Sequence, residues 1–359
     1  MEHEEIRQAV RRYAQEQLCP HAARWDREKE FPREALKGLA EMGLYAVAVP
    51  EELGGAGMGY SALAVACEEI SAGDCATATI VSVNNLVSGI LAGYGSPRQK
   101  ERFLKPLARG ETLGAFALTE PHVGSDASAI ITRAERQGSD YVINGVKQFI
   151  TSGKNADIAV VFCVTDKGAG KKGISALVVP TGTPGYVVAR IEEKTGQRAS
   201  DTAQIVFENC RVPETHRLQN ANGFRDTAKV LRLTRAGVAW LAVGTQMGAY
   251  ELAVRYAQER EQFQSKNEAF EQQRAELLSK ATDEVEAKRH RLLDEDLRDL
   301  LAEDGFDLVD LVVGRLDDPL VEAVLLLLVA ERPGRRRPVA GVLLHPDQER
   351  HVLRPDRPQ

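Results

Sequence analysis

The spacing of apolar positions changes twice along the chain, and the changes divide it into three blocks. Over residues 3–45, Ile6, Val10, Tyr13, Ala14 and Leu18 recur at helical intervals, which predicts amphipathic helices. Phe31-Pro32 opens a second helix from Arg33 to Met42. A short apolar connection, Gly43–Pro50, and a glycine-rich loop, Glu51–Gly59, lead to a further helical stretch over residues 60–109. Ser96 followed by Pro97 reads there as an N-cap with proline at the first helical position. From Gly114 short β-branched runs take over: Ile158 to Val164, Gly173 to Val179, Tyr186 to Ala189 and Ala203 to Phe207. Tyr141–Val146 is expected to be a hairpin turning at Asn144-Gly145. The connections are too short for parallel βαβ units, so an antiparallel domain is predicted. Phe224 to about Glu261 then returns to helical period, with Gly237, Gly244 and Gly248 in the apolar stripe, where small residues permit close helix crossing.

The expected fold class is therefore α+β. An N-terminal all-helical domain spans 1–112, a central antiparallel β-domain 113–213 and a C-terminal helical bundle 214–293. Residues 294–359 form a divergent tail. It has one apolar run, Ala323–Ala330, and then a Pro- and Arg-rich end of disordered composition.

Composition narrows this picture only a little. With 43% hydrophobic and 27% charged residues and a net charge of −6, neither a nucleic-acid partner nor a membrane is expected. The run Ala323–Ala330 is well short of the roughly 20 residues a span needs. Five scattered cysteines without a Cys-x-x-Cys argue for reduced thiols in a cytoplasmic setting, and against a disulfide framework or a metal site. The acidic, helix-like start shows neither a signal nor a transit peptide.

Two segments carry candidate chemistry. Gly114-Ala-Phe-Ala-Leu-Thr-Glu-Pro-His-Val-Gly-Ser-Asp126 runs from an apolar strand into a polar turn, and Gln148-Phe-Ile-Thr-Ser-Gly153 repeats the formula. Such a pair could bracket a flat ring system, with apolar groups on its face and hydroxyls at its edge. Glycine in the turn lets backbone donors approach closely. No G-x-G-x-x-G stands at a strand-to-helix junction, so a Rossmann site is not supported.

ALTEPHVGSD followed by YVINGVKQFITSG resembles the acyl-CoA dehydrogenase family of flavoproteins, short- and medium-chain bacterial members above all, and the resemblance runs from about Glu5 to about Phe263. It implies FAD held by Phe116, Ala117, Leu118, Thr119, Gly124 and Ser125 on one side and by Phe149, Ile150 and Thr151 on the other. Arg260 and Phe263, in Glu259-Arg-Glu-Gln-Phe263, would reach the flavin of a neighbouring subunit, which implies a homo-oligomer, a dimer of dimers. Ser125, Thr234 and Arg235 would contact the acyl-CoA substrate. Lys194-Thr-Gly-Gln-Arg-Ala-Ser-Asp-Thr202 matches a family run read as structural loop chemistry beside the site. The implied reaction is α,β-dehydrogenation of a short- or medium-chain acyl-CoA to the trans-2-enoyl product, within fatty-acid β-oxidation. Electrons would pass to an electron-transferring flavoprotein.

The chain departs from the family pattern after Phe263. Gln264 replaces a glycine, and Glu271 replaces a flavin-contacting glutamine, although Gln272 stands next to it. No Y-E-G-T segment, which carries the glutamate base in most relatives, is present, and the alternative base position is Thr234. The catalytic base is thus unassigned; Glu322, Glu331 and Glu349 lie in contexts unlike the motif. The competing expectation is a flavin- or acyl-CoA-binding homologue without dehydrogenase activity.

Overall fold

The computed structural model describes residues 2–221, 223–259 and 276, 279 and 280. The chain divides into two units, Met1–Lys288 and Arg289–Gln359; every described residue belongs to the first. Glu261 and the expected tail 294–359 lie outside the described residues.

The N-terminal helices are α1 (Glu2–Tyr13), α2 (Cys19–Glu28), α3 (Arg33–Glu41), α4 (Tyr60–Gly73), α5 (Cys75–Tyr94), α6 (Pro97–Gln99) and α7 (Lys105–Ala108). Wider π turns, Ala14–Leu18 and Lys100–Leu104, precede Pro20 and Pro106. A proline there cannot donate to the preceding turn, and widening the helix by one residue accommodates it. The expected cap at Ser96 forms a reciprocal box: Gln99 N donates to Ser96 Oγ (3.3 Å) and Ser96 N donates to Gln99 Oε1 (2.8 Å). Ser96→Ala is therefore expected to cost about 0.5–2 kcal/mol in thermal or urea unfolding.

Helix α5 is long and apolar enough to cross a membrane by length and composition, yet 67% of its most apolar window is buried inside the protein. Two buried asparagines make it the strut of the fold. Asn85 accepts from Val47 N (2.9 Å) and donates to Leu44 O (2.7 Å). Asn84 donates to Tyr45 O (3.0 Å) and accepts from Gly114 N (2.9 Å). The second of these bonds fixes the first residue of the sheet.

The β-domain contains β1 (Gly114–Ala117), β2 (Arg133–Gln137), β3 (Asp140–Thr151), β4 (Ile158–Val164), β5 (Ile174–Pro180), β6 (Tyr186–Ile191) and β7 (Thr202–Pro213). They form one seven-stranded sheet in the order β1-β4-β2-β3-β7-β6, with β5 also on β4. The antiparallel expectation holds for β2·β3, β3·β7, β4·β5 and β6·β7. It does not hold for β1, which pairs parallel with β4 (Gly114↔Ile158 to Ala117↔Val161), nor for the single parallel contact of β2 with β4, Arg133↔Val164. The β2–β3 hairpin lies between β1 and β4 in sequence, and that long excursion makes the parallel return possible without a crossover helix.

A second correction concerns Asn144-Gly145. These residues do not turn the chain; β3 runs straight through them. The actual β2–β3 hairpin uses Gly138-Ser139, with Gly138 at φ +65°. Asn144 instead faces a bulge in β7, where Asn209 takes φ +50° and donates its N–H to Asn144 Oδ1 (2.9 Å). Gly145 is needed for space, because a Cβ there would fall 2.7 Å from the Thr132 Cα.

Helix α8 (Phe224–Glu259) packs on α4. A Cβ on Gly244 would lie 2.0 Å from Glu68 O, and one on Gly248 would lie 2.3 Å from Ala72 O. Ser71 Oγ completes the joint by donating to Leu241 O (2.6 Å). The glycine stripe thus gives a backbone-to-backbone crossing, as its small residues predict.

Candidate functional site

The two segments singled out in the sequence meet in space. Strand β1 ends at Ala117, and the chain passes Leu118 and Thr119 to a tight turn closed by Glu120 and Val123, which exchange N–H···O bonds of 3.0 and 3.1 Å. The end of β3 lies alongside, where Gln148 N donates to Thr119 O (2.8 Å). Between Lys147 and Ile150 the β3·β7 register slips by one residue. That bulge, with Phe149 at φ +59°, turns Phe149 outward and leaves it 61% exposed. Ser152 follows at φ +58°. A left-handed backbone at a non-glycine residue costs about 1–3 kcal/mol, and such residues cluster at ligand sites.

The individual side chains sort into two groups. Thr119 and Thr151 are partly buried, and Gly124 and Ser125 are exposed on the turn. Ala117, Leu118 and Ile150 are buried in the core, so only their backbones can face a ligand. Phe116 is partly buried and stacks edge-on against Phe162, with ring centroids 5.2 Å apart. Thr234 and Arg235 lie on α8, but their side chains are outside the described residues, as are Arg260 and Phe263 altogether.

Beside Thr151 opens a polar cleft of about 530 Å³, bordered by Thr79, Lys194, Gln197, Ser200 and Thr202. Its wall is the Lys194–Thr202 run, expected to be structural. Lys194 Nζ donates to Gln197 O (2.8 Å), Ser200 O (2.6 Å) and Thr202 Oγ1 (2.9 Å). Burial depresses the Lys194 pKa, and Asp201 and Asp26 partly offset this. The Ser200 hydroxyl is buried in this wall without a hydrogen-bond partner among the described residues. An unspent buried donor at a cleft is where a ligand group or water completes the bonding. Together with Thr151 and the outward Phe149, it fits a flat ligand with a polar edge.

Lys147 and Glu120, which sequence reasoning passed over, are the most buried charges at the site. Their side chains are 0% and 1% exposed, with Lys147 Nζ 2.8 Å from Glu120 Oε1. Lys147 Nζ also donates to Leu118 O (2.9 Å). Glu120 accepts from Ile131 N (2.7 Å) and Thr132 N (2.9 Å). Burial would raise the Glu120 pKa, but the Lys147 ammonium and the N–H donors outweigh it and hold the carboxyl below its ordinary value. Burial lowers the Lys147 pKa, and Cys163 and Glu120 offset only part of this. The available sequence signal was a lysine inside a strand otherwise committed to the core.

A helical layer, a mixed sheet and a returning helix, with a hydroxyl-lined cleft beside the sheet, define a three-part α+β protein. Three family models match in order: the acyl-CoA dehydrogenase N-terminal domain over residues 1–111, the middle domain over 115–210 and the C-terminal domain over 221–293. The chain belongs to the acyl-CoA dehydrogenase family. It is 43% identical over 263 residues to the mitochondrial short-chain specific acyl-CoA dehydrogenase of Rattus norvegicus, covering 73% of this chain and 64% of that protein. It is 39% identical over 264 residues to the short-chain specific acyl-CoA dehydrogenase of Clostridium acetobutylicum, covering 73% and 70%. The chain thus spans less than two thirds of the length of the rat relative. Among solved structures, butyryl-CoA dehydrogenase from Megasphaera elsdenii is similar at a TM-score of 0.74 and 32% identity, covering 81% of this chain and 77% of that one. A glutaryl-CoA dehydrogenase from Mycobacterium smegmatis in complex with FADH2 is similar at 0.72 and 34%, covering 79% and 72%.

Proposed function

We propose that the protein is an FAD-dependent acyl-CoA dehydrogenase that oxidises a short- or medium-chain acyl-CoA to the trans-2-enoyl-CoA and hands the electrons to an electron-transferring flavoprotein. The observation that supports this reading is the contact between the two segments: Gln148 N donates to Thr119 O, joining the turn that carries Thr119 to the strand end that carries Thr151. The cofactor is FAD, which when bound accepts the β-hydride of the substrate. Thr119, Thr151 and the exposed Phe149 would hold it, and the buried Ser200 hydroxyl would be available to its polar groups. Ser125 on the turn, with Thr234 and Arg235 on α8, takes the acyl-CoA. Arg260 and Phe263 serve the flavin of a neighbouring subunit in a dimer of dimers. Five free cysteines, three of them buried, suit a reducing cytoplasm.

A second reading has its own support: Thr234 occupies the alternative base position and no Y-E-G-T segment is present. On that reading the protein binds flavin and acyl-CoA without turnover, since losing a general base removes about 10²–10⁴ in rate. One experiment separates the two. The FAD-reconstituted protein is titrated anaerobically with butyryl- and octanoyl-CoA while the visible flavin absorbance is followed. Rapid bleaching with enoyl-CoA formation is expected. Bound flavin that stays oxidised across a chain-length panel selects the second reading, and failure to bind FAD removes both.

A further inference from the structure

The geometry points to a role for Lys147 and Glu120 beyond ligand contact: they are a positioning pair that locks the Thr119 turn, the Ser125 loop and the Phe149–Thr151 strand end into one unit. The identity of the ligand so positioned rests on the flavin reading; the locking itself does not.

Stability alone gives no reason for the pair. Taking both charges out of water is costly, and a well-packed apolar pair in their place is often neutral or better. An apolar pair, however, has no directional bonds. These two side chains reach three separate stretches of backbone: Leu118 at the end of β1, Ile131 and Thr132 at the loop exit, and β3 itself through Lys147.

Each connection bears on a site residue. Thr119 stands between Leu118, which accepts from Lys147, and Glu120, which closes the turn onto Val123. Its carbonyl accepts from Gln148, the residue after Lys147. The ten-residue stretch from Pro121 to Ile130 carries Gly124, Ser125 and Asp126. Glu120 stands at its entrance and binds the N–H groups of Ile131 and Thr132 at its exit, so one carboxylate closes the whole loop. Closing it in the folded protein removes motion that would otherwise be lost only on ligand binding, which is preorganisation. The lysine lies two residues before the exposed Phe149 and four before Thr151, on the same bulged strand end. One ion pair thereby ties the Thr119 turn and the Ser125 loop to the end of β3.

The test uses the full chain with Glu120→Gln and Lys147→Met combined, so that no lone charge is left buried. Hydrogen exchange is first measured without FAD. At least tenfold faster exchange is expected in peptides covering 121–132 and 147–152, with the 75–94 peptide unchanged. FAD affinity, from fluorescence quenching, is expected to fall at least tenfold in the same variant. Should the double variant fail to fold, Glu120→Gln combined with Lys147→Gln, which also leaves no lone charge, takes its place, with the effect expected at 121–132. Wild-type exchange in these loops overturns the proposal, as does a uniform acceleration throughout the chain, which would mark a merely structural pair. If wild-type protein binds no FAD, the flavin reading fails while the exchange comparison still decides the positioning role.

Discussion

Lys147→Met alone is expected to lose about 3–5 kcal/mol of folding stability near neutral pH, because it strands Glu120 as a buried carboxylate without its cation. Urea unfolding followed by circular dichroism measures this. The loss should depend on pH with a definite sign. In the wild type the Glu120 pKa is held below its ordinary value. That carboxyl therefore contributes stability above its unfolded pKa and loses it as the pH falls through the folded one. In the variant, burial without Lys147 pushes the pKa the other way. The folded state then takes up the proton more readily than the unfolded chain, so the deficit is smallest in acid and grows as the pH rises through the new folded value. A deficit independent of pH would contradict the placement of Glu120 as a buried partner of Lys147. Adding Glu120→Gln should recover most of the stability.

Gly244→Val should have the next largest effect. The added Cβ would meet Glu68 O at 2.0 Å and Glu68 C at 2.8 Å, both backbone atoms of α4. No side-chain rotation relieves a contact of that kind, so the helices must separate. Overpacking of a core typically costs about 1–3 kcal/mol, and this site belongs at the upper end. Separation would also stretch the Ser71 bond to Leu241 O. Thermal unfolding and limited proteolysis on the α8 side read the result. A variant as stable and resistant as the wild type would mean that α8 does not cross α4 through this glycine.

The pattern of apolar residues gave the blocks and most strand positions; Ile158 to Val164 is the clearest case, matching β4 residue for residue. That run is buried along nearly its whole length, so no alternation was needed to see it. Asn144-Gly145 misled because its preferred turn is a local property, while β7 supplied a nonlocal partner that accepted the same residues in extended form. The parallel docking of β1 could not be read from composition, since a four-residue apolar strand looks alike in either direction. Thr119 and Thr151 stood out in the sequence as hydroxyls following apolar runs, and the structure brings the two segments that carry them into contact. Lys147 and Glu120 were not, as each looks solvated until the other is placed beside it. Similarly, the Lys194 run gave no hint that its own backbone and the Thr202 hydroxyl would fold around the ammonium.

The crossing of α8 over α4 also sets a timetable for synthesis. The surface of α4 that Gly244 and Gly248 cover is complete on the ribosome long before its cover exists. Roughly 180 further residues must be added, which at about 5–20 residues per second takes on the order of 10–35 s. Through that interval the nascent N-terminal helices carry an uncovered seam of Glu68 and Ala72 backbone and the Ser71 side chain. Arrest of translation before Gly248 would leave that seam open to other chains, so yields of folded protein should depend on holding early helices apart until the late one arrives.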